Sequence, residues 1–112
     1  MTVSRLFVYG TLRDDAQVQE VVGRGLPSRP AVLEGYRRAL DASIGYPVVH
    51  PLSGSSVDGK LLEGVDDRVF AALDAYEGPA YTRVLVQVQT RDGRPLEAYV
   101  YVPAPSGPPG SP

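Results

Sequence analysis

The segment RVLVQVQTRDGRPLEAYVYV, residues 83–102, constrains the fold of this chain more than any other stretch. Val84, Val86 and Val88 alternate with Leu85 and Gln87, and Ala98, Val100 and Val102 alternate with Tyr99 and Tyr101. A period of two is strand spacing, and two such runs around a Gly-containing turn read as a β-hairpin. Two registers are open. A two-residue Asp92-Gly93 loop sets Arg91 opposite Arg94 and Val86 opposite Tyr99. A three-residue loop, Arg91-Asp92-Gly93, pairs Val88 with Leu96, Val86 with Ala98 and Val84 with Val100. A slip of one residue turns every side chain to the other face, so the register that keeps the small apolar residues together is favoured. The three-residue loop does this, and it puts Gly93 at the left-handed position that such loops need.

Further strands precede the hairpin. Residues 4–9 read as a first strand. Asp14 followed by Gln17 resembles a capping box, and predicts a helix over 15–22 that stops at Gly23. GLPSRP (25–30) reads as a linker, and 31–40 as a strand with a bulge or bend at Gly35. Residues 44–51 hold a short strand broken by Pro47, SGSS (53–56) is a turn, and 57–65 is a further strand. The period then changes. Val69, Phe70, Leu73 and Tyr76 share a helical face, Asp66 or Asp67 can cap its start, and Gly78-Pro79 ends it. Strands dominate and the connections are short. The expected fold is therefore α+β, with two helices on a small, largely antiparallel barrel-like sheet. Residues 1–102 form the domain, and the Pro/Gly-rich residues 103–112 a flexible tail.

Composition closes several routes to function. The chain has 112 residues, enough for one small core, and 43% of them are hydrophobic. A net charge of -2 gives no basic footprint for nucleic acid. No apolar run is long enough for a transmembrane helix or a signal-peptide core, so a cytoplasmic location is expected. Cysteine is absent and His50 is the only histidine. That removes disulfides, thiol nucleophiles and Cys or multi-His metal sites, and no G-x-S-x-G elbow accompanies His50. Any chemistry falls to carboxylates, tyrosines and backbone dipoles.

Two stretches can carry it. Glu77, in ALDAYEGPAYTR (72–83), stands at the predicted C-terminal end of a helix, where the dipole disfavours a carboxylate. Its pKa should rise there, and partial burial would raise it further, which suits a general base or acid. The plainer reading is an exposed Glu beside a helix stop. Tyr76, Tyr81 and Arg83 are either pocket residues or packing. YGTL (9–12) follows the first strand. Gly10 lets a ligand approach the main chain, and successive N–H groups there can converge on an anion; the plainer reading is a turn. Tyr46-Pro47 reads as loop-shaping, Tyr99 and Tyr101 as packing or pocket lining, and His50 as structural or exposed. Asp66-Asp67 reads as a helix cap and not a metal site.

Taken together and in this order, LFVYGTLR, GYPVV, VDGKLLEGVDD, LDAYEGPAYTR and AYVYV resemble the gamma-glutamylcyclotransferase-like family. That family includes the plant avirulence-induced AIG-type proteins and the gamma-glutamylamine cyclotransferases. The resemblance spans most of residues 6–102, and YGTL and LD-x-YEG-x-x-Y-x-R are its specific parts. It implies a barrel-like α+β fold with a pocket beside YGTL. It implies that Glu77 matches the catalytic glutamate, that Tyr9, Gly10, Thr11 and Leu12 match the substrate-binding loop, and that Tyr81 matches a pocket tyrosine. The implied reaction cyclises a gamma-glutamyl group to 5-oxoproline and releases an amine, with no cofactor, metal, nucleic acid or membrane involved. The alternative is a non-catalytic small-molecule-binding domain of the same fold. Neither the leaving amine nor the oligomeric state has a readable signal.

Overall fold

A computed structural model of the chain describes residues 4–41 and 46–104. The elements run β1 (Ser4–Val8), a 3-10 turn (Thr11–Arg13), α1 (Asp15–Val22), β2 (Ser28–Asp41), β3 (Tyr46–Val65), α2 (Asp67–Glu77), β4 (Tyr81–Thr90) and β5 (Pro95–Pro103). The strands close a barrel in the order β1-β3-β2-β4-β5. All neighbours are antiparallel except β1 and β5, which close the barrel in parallel with Leu6 opposite Tyr99 and Phe7 opposite Val100.

The β4–β5 hairpin has the three-residue loop. Val84 faces Val100, Val86 faces Ala98 and Val88 faces Leu96. Gly93 has φ +82° and donates its N–H to Thr90 O. The first half of the sheet differs from expectation. Residues 28–30 belong to β2, so the linker shrinks to 23–27. The short strand broken at Pro47, the turn at 53–56 and the strand at 57–65 are one strand, β3, of 20 residues. Two physical reasons explain this. Residues 46–56 of β3 pair only with β2, because β1 pairs from Lys60 onward. Among the described residues no strand pairs on their other side, and prolines are tolerated on such an edge stretch. The small residues of SGSS lie where the register jumps: Glu34 faces Ser56 while Tyr36 faces Pro51. Gly35, at φ +82°, is the bend on the other strand, as the sequence suggests.

Both faces of β1 are buried, which explains its unbroken apolar run. Phe7 and Tyr9, the latter just past the end of β1, join Leu33, Val49, Leu61, Val88, Ala98 and Val100 in a cluster that fills the barrel interior. Leu6 and Val8 join Leu12, Val18, Val69, Phe70, Leu73 and Tyr101 in a second cluster between the barrel and the helices. Burying Val69, Phe70 and Leu73 contributes roughly 1.5–3 kcal/mol each and docks α2. Asp66 caps α2 by accepting from Val69 N at 2.9 Å. Asp14 caps α1, but its carboxylate takes the Ala16 amide and not that of Gln17. Of the expected tail, Pro103 completes β5 and the Ala104 amide bonds Ala80 O at 2.8 Å. The rest of the tail and residues 42–45 lie outside the described residues.

Candidate active site

A cavity of about 180 Å³ opens where the end of β1, the end of α2 and the start of β4 meet. It is walled by Tyr9, Gly10, Thr11, Leu12, Tyr76, Glu77, Tyr81 and Tyr101, with Phe7, Val8 and Pro47 beneath. All six residues singled out by the family resemblance line this one space. It is small beside the roughly 300–1,000 Å³ of pockets for drug-sized ligands, and suits a ligand the size of one amino acid.

Glu77 is the last residue of α2. Four positions after Leu73 and seven after Phe70, it continues the buried stripe of the helix. It therefore points toward the barrel and not to solvent, a signal the helical spacing carried and the sequence reading passed over. Burial pushes its pKa up to about 7. The expected rise is present, and desolvation is its cause. Among the described residues the carboxylate makes no hydrogen bond or ion pair. Among the described residues Glu77 is the only carboxylate in the cavity wall, and no lysine, arginine or histidine joins it there.

The tyrosines around it are held by their hydroxyls. Tyr9 donates to Tyr101 O at 2.6 Å, and Tyr81 donates to Pro47 O at 3.1 Å. Burial, then the nearby Tyr81 and Glu77, push the Tyr9 pKa far up, so it stays a neutral donor. Tyr101 donates to Asp74 Oδ1 at 2.6 Å, and burial together with that carboxylate raises its pKa as well. Of the two readings open for Tyr76, pocket lining and packing, the structure shows the first. Tyr76 shares the apolar face of α2 on paper but is 40% exposed, and its hydroxyl meets Thr11 Oγ1 at 2.7 Å. This bond bridges α2 and the 9–12 loop across the cavity.

The loop itself is a tight 3-10 turn, whose first internal bond runs from Arg13 N to Gly10 O at 3.0 Å. The Thr11 and Leu12 amides precede that bond and have no hydrogen-bond acceptor among the described residues, as helix starts require. A side chain on Gly10 would meet no protein atom within 4 Å, so its flank is open to a ligand. Gly10 does not use a left-handed conformation; its φ is -123°.

Other candidates lie elsewhere. Arg83 is outside the cavity, paired with Asp74 and stacked over Phe70 at 4.0 Å. Tyr99 packs edge-on against Phe70, and His50 is exposed on β3. No group of three His, Cys, Asp or Glu residues that could hold a metal occurs among the described residues, and none of their helices is long and apolar enough to cross a membrane.

A closed five-stranded barrel with two helices and a carboxylate-bearing pocket at the end of β1 defines the class. The family model described as "Gamma-glutamyl cyclotransferase, AIG2-like" matches residues 6–112, and the chain belongs to this family. Protein AIG2 C of Arabidopsis thaliana is 34% identical over 100 residues, covering 87% of this chain and 61% of that protein. The chain thus spans about three-fifths of the length of that relative. A solution structure of an Arabidopsis thaliana protein superposes with a TM-score of 0.86 at 28% identity, covering 99% of this chain and 68% of the other. A structure described as a gamma-glutamyl cyclotransferase superposes at 0.83 and 16% identity, over 92% of this chain and 68% of the other, and shares the fold.

Proposed function

We propose that this chain is a gamma-glutamylcyclotransferase-type enzyme with Glu77 as its general base and acid. The observation that carries this reading is a half-buried, unpaired carboxylate titrating near 7 in an amino-acid-sized cavity. A gamma-glutamyl substrate holds its own nucleophile, the α-amine, so no enzyme thiol or triad is required. The cavity folds the substrate so that this nitrogen reaches the γ-carbonyl carbon. Glu77 takes a proton from the α-ammonium group. The freed nitrogen bonds to the γ-carbon, and the amide oxygen gains negative charge. The Thr11 and Leu12 amides stabilise that oxygen. The γ-carbon to leaving-nitrogen bond then breaks as Glu77 returns the proton to the leaving nitrogen, the ring nitrogen gives up its second proton to solvent, the carbonyl re-forms, and 5-oxoproline and a free amine depart. Tyr9 and Tyr81 shape the wall against which the glutamyl chain curls. A small polar substrate and a cysteine-free chain fit a cytoplasmic enzyme.

The test is to incubate the protein with gamma-glutamyl dipeptides and gamma-glutamyl amines and measure 5-oxoproline. Release from at least one of them, lost in Glu77→Gln, is the expected result. A folded protein that binds these compounds but turns none over would be a binding domain instead.

A further inference from the structure

Asp74 stands one turn before Glu77 on α2 and has no place in the reaction above. Its carboxylate is nonetheless the most heavily used side chain near the site. Oδ1 accepts from Arg83 Nε at 2.8 Å, Oδ2 accepts from Arg83 Nη2 at 3.1 Å, and Oδ1 also accepts from the Tyr101 hydroxyl at 2.6 Å. One carboxylate therefore ties the last turn of α2 to β4 through Arg83 and to β5 through Tyr101. The guanidinium is fixed on its other side by the Phe70 ring at 4.0 Å and the Tyr99 ring at 5.2 Å.

The wall between Asp74 and Glu77 gives this clamp its meaning. Tyr81 and Tyr101 line the Glu77 cavity, and the same two residues line a shallower concavity that holds Asp74 and Arg83. The base lies on one side of the two rings and the guanidinium on the other. We propose that Asp74 is a positioning residue: by holding Tyr101 and Arg83 together it fixes the end of α2 and keeps the neighbouring cation away from Glu77.

The charges around Glu77 show what the clamp protects. The titratable groups facing it are Tyr9 from the loop after β1, Tyr76 from its own helix, Tyr81 from β4 and Tyr101 from β5. Tyr9 and Tyr101 are held as neutral donors, and among the described residues no cation lines the cavity, although Arg38 on β2 is near enough to act on Tyr9. Arg83, the cation on the far side of the wall, has its charge met by Asp74. An arginine freed of that partner finds Glu77 as the next carboxylate on the same helix. An opposite charge at ion-pair distance lowers a carboxylate pKa by about 1–3 units. Loosening the Tyr101 wall also admits water, which acts in the same direction. Both effects turn the base into a weaker one.

The experiment is a ¹³C NMR titration of the Glu77 carboxyl in the full chain, for the wild type, Asp74→Asn and Tyr101→Phe. It requires no substrate, so its outcome is separate from that of the cyclisation assay. Asp74 is 46% exposed in its side chain, so its amide variant is expected to fold. The expected result is a Glu77 pKa that falls by about one unit or more in Asp74→Asn. A smaller fall is expected in Tyr101→Phe, which removes only the hydroxyl link. Asp74→Glu, which restores a carboxylate, should recover part of the loss. An unchanged Glu77 titration in folded Asp74→Asn would overturn the proposal. So would an equal loss in Asp74→Glu, since any disturbance of the helix end would then suffice.

Discussion

Asp74 and Glu77 are three residues apart on the last turn of α2, yet their surroundings drive them in opposite directions. Asp74 faces the outer side of the β4–β5 hairpin. Burial pulls its carboxyl upward, but the Arg83 fork and the Tyr101 hydroxyl outweigh this and hold it below the usual carboxylate range. Glu77 faces the cavity behind the Tyr81–Tyr101 wall. Among the described residues it has no partner to offset its burial, and its pKa rises to about 7. The difference is not one of residue type or of helix position. It is set by burial, which is deeper at Glu77, and by the arginine and the Tyr101 hydroxyl, which go to Asp74. A paired carboxylate gives up its proton readily and serves structure, whereas an unpaired, half-buried one can carry a proton at neutral pH.

The largest effect should come from removing the unpaired partner. Glu77→Gln is expected to lower the rate of 5-oxoproline formation by about 100-fold or more, the usual scale for general acid–base catalysis. An undiminished rate would end the assignment of Glu77 as the base. The next test is the pH profile. The base must be ionised, so kcat/KM should rise with pH through an inflection near the Glu77 pKa of about 7. An acid limb near the ordinary glutamate value of 4.5 would mean that the carboxylate is hydrated when it works.

The two carboxylates should also differ in how they link stability to pH. The folded pKa of Glu77 lies above its unfolded value. Its contribution is therefore complete below 4.5 and is lost as pH rises through about 7. Glu77→Gln stays neutral at every pH. It should melt higher than the wild type in mildly alkaline buffer, and the gap should close as acid is added. Asp74 has the opposite sign. Its folded pKa is depressed, so its contribution is present above 3.8 and is lost as pH falls through the lower folded value. Asp74→Asn should cost at most about 1 kcal/mol near neutrality, because the pair is partly exposed and screened. That cost should fade in strong acid. Denaturant melts at several pH values would read both signs, and parallel curves for the two variants would erase the contrast. The smallest effect is expected from Tyr76→Phe, which removes the hydroxyl bridge to Thr11 and leaves Glu77 in place. A KM change of a few-fold with kcat little altered fits an exposed hydrogen bond worth about 1 kcal/mol.

The β4–β5 hairpin was legible because its information is local. Alternation fixes which residues share a face, and Gly93 fixes the loop, so register followed from about twenty residues. The first half of the sheet was not. Pro47, Pro51 and SGSS look like breaks, and they are tolerated as strand residues because, among the described residues, 46–56 of β3 have a free edge that no local pattern announces. The same limit applies at the site. YGTL and Glu77 stood out as candidates, and helical spacing from Phe70 and Leu73 already aimed Glu77 inward. Spacing on the helix leaves Tyr76 open between packing and pocket lining, and only its reach to Thr11 places it at the pocket.

The sequence by itself determined the hairpin register, both helices with their caps, the absence of thiol chemistry and the two halves of the pocket. These depend on periodicity, side-chain type and nearest neighbours along the chain. Tertiary structure decided the rest. Closure of β1 against β5 and docking of α2 bring residue 10 to residue 77. Arg83 then pairs with Asp74, while Tyr81 and Tyr101 line both that side and the Glu77 cavity. Desolvation and ion pairing depend on distances in three dimensions, so the proton affinity of Glu77 could not be assigned until the barrel had closed.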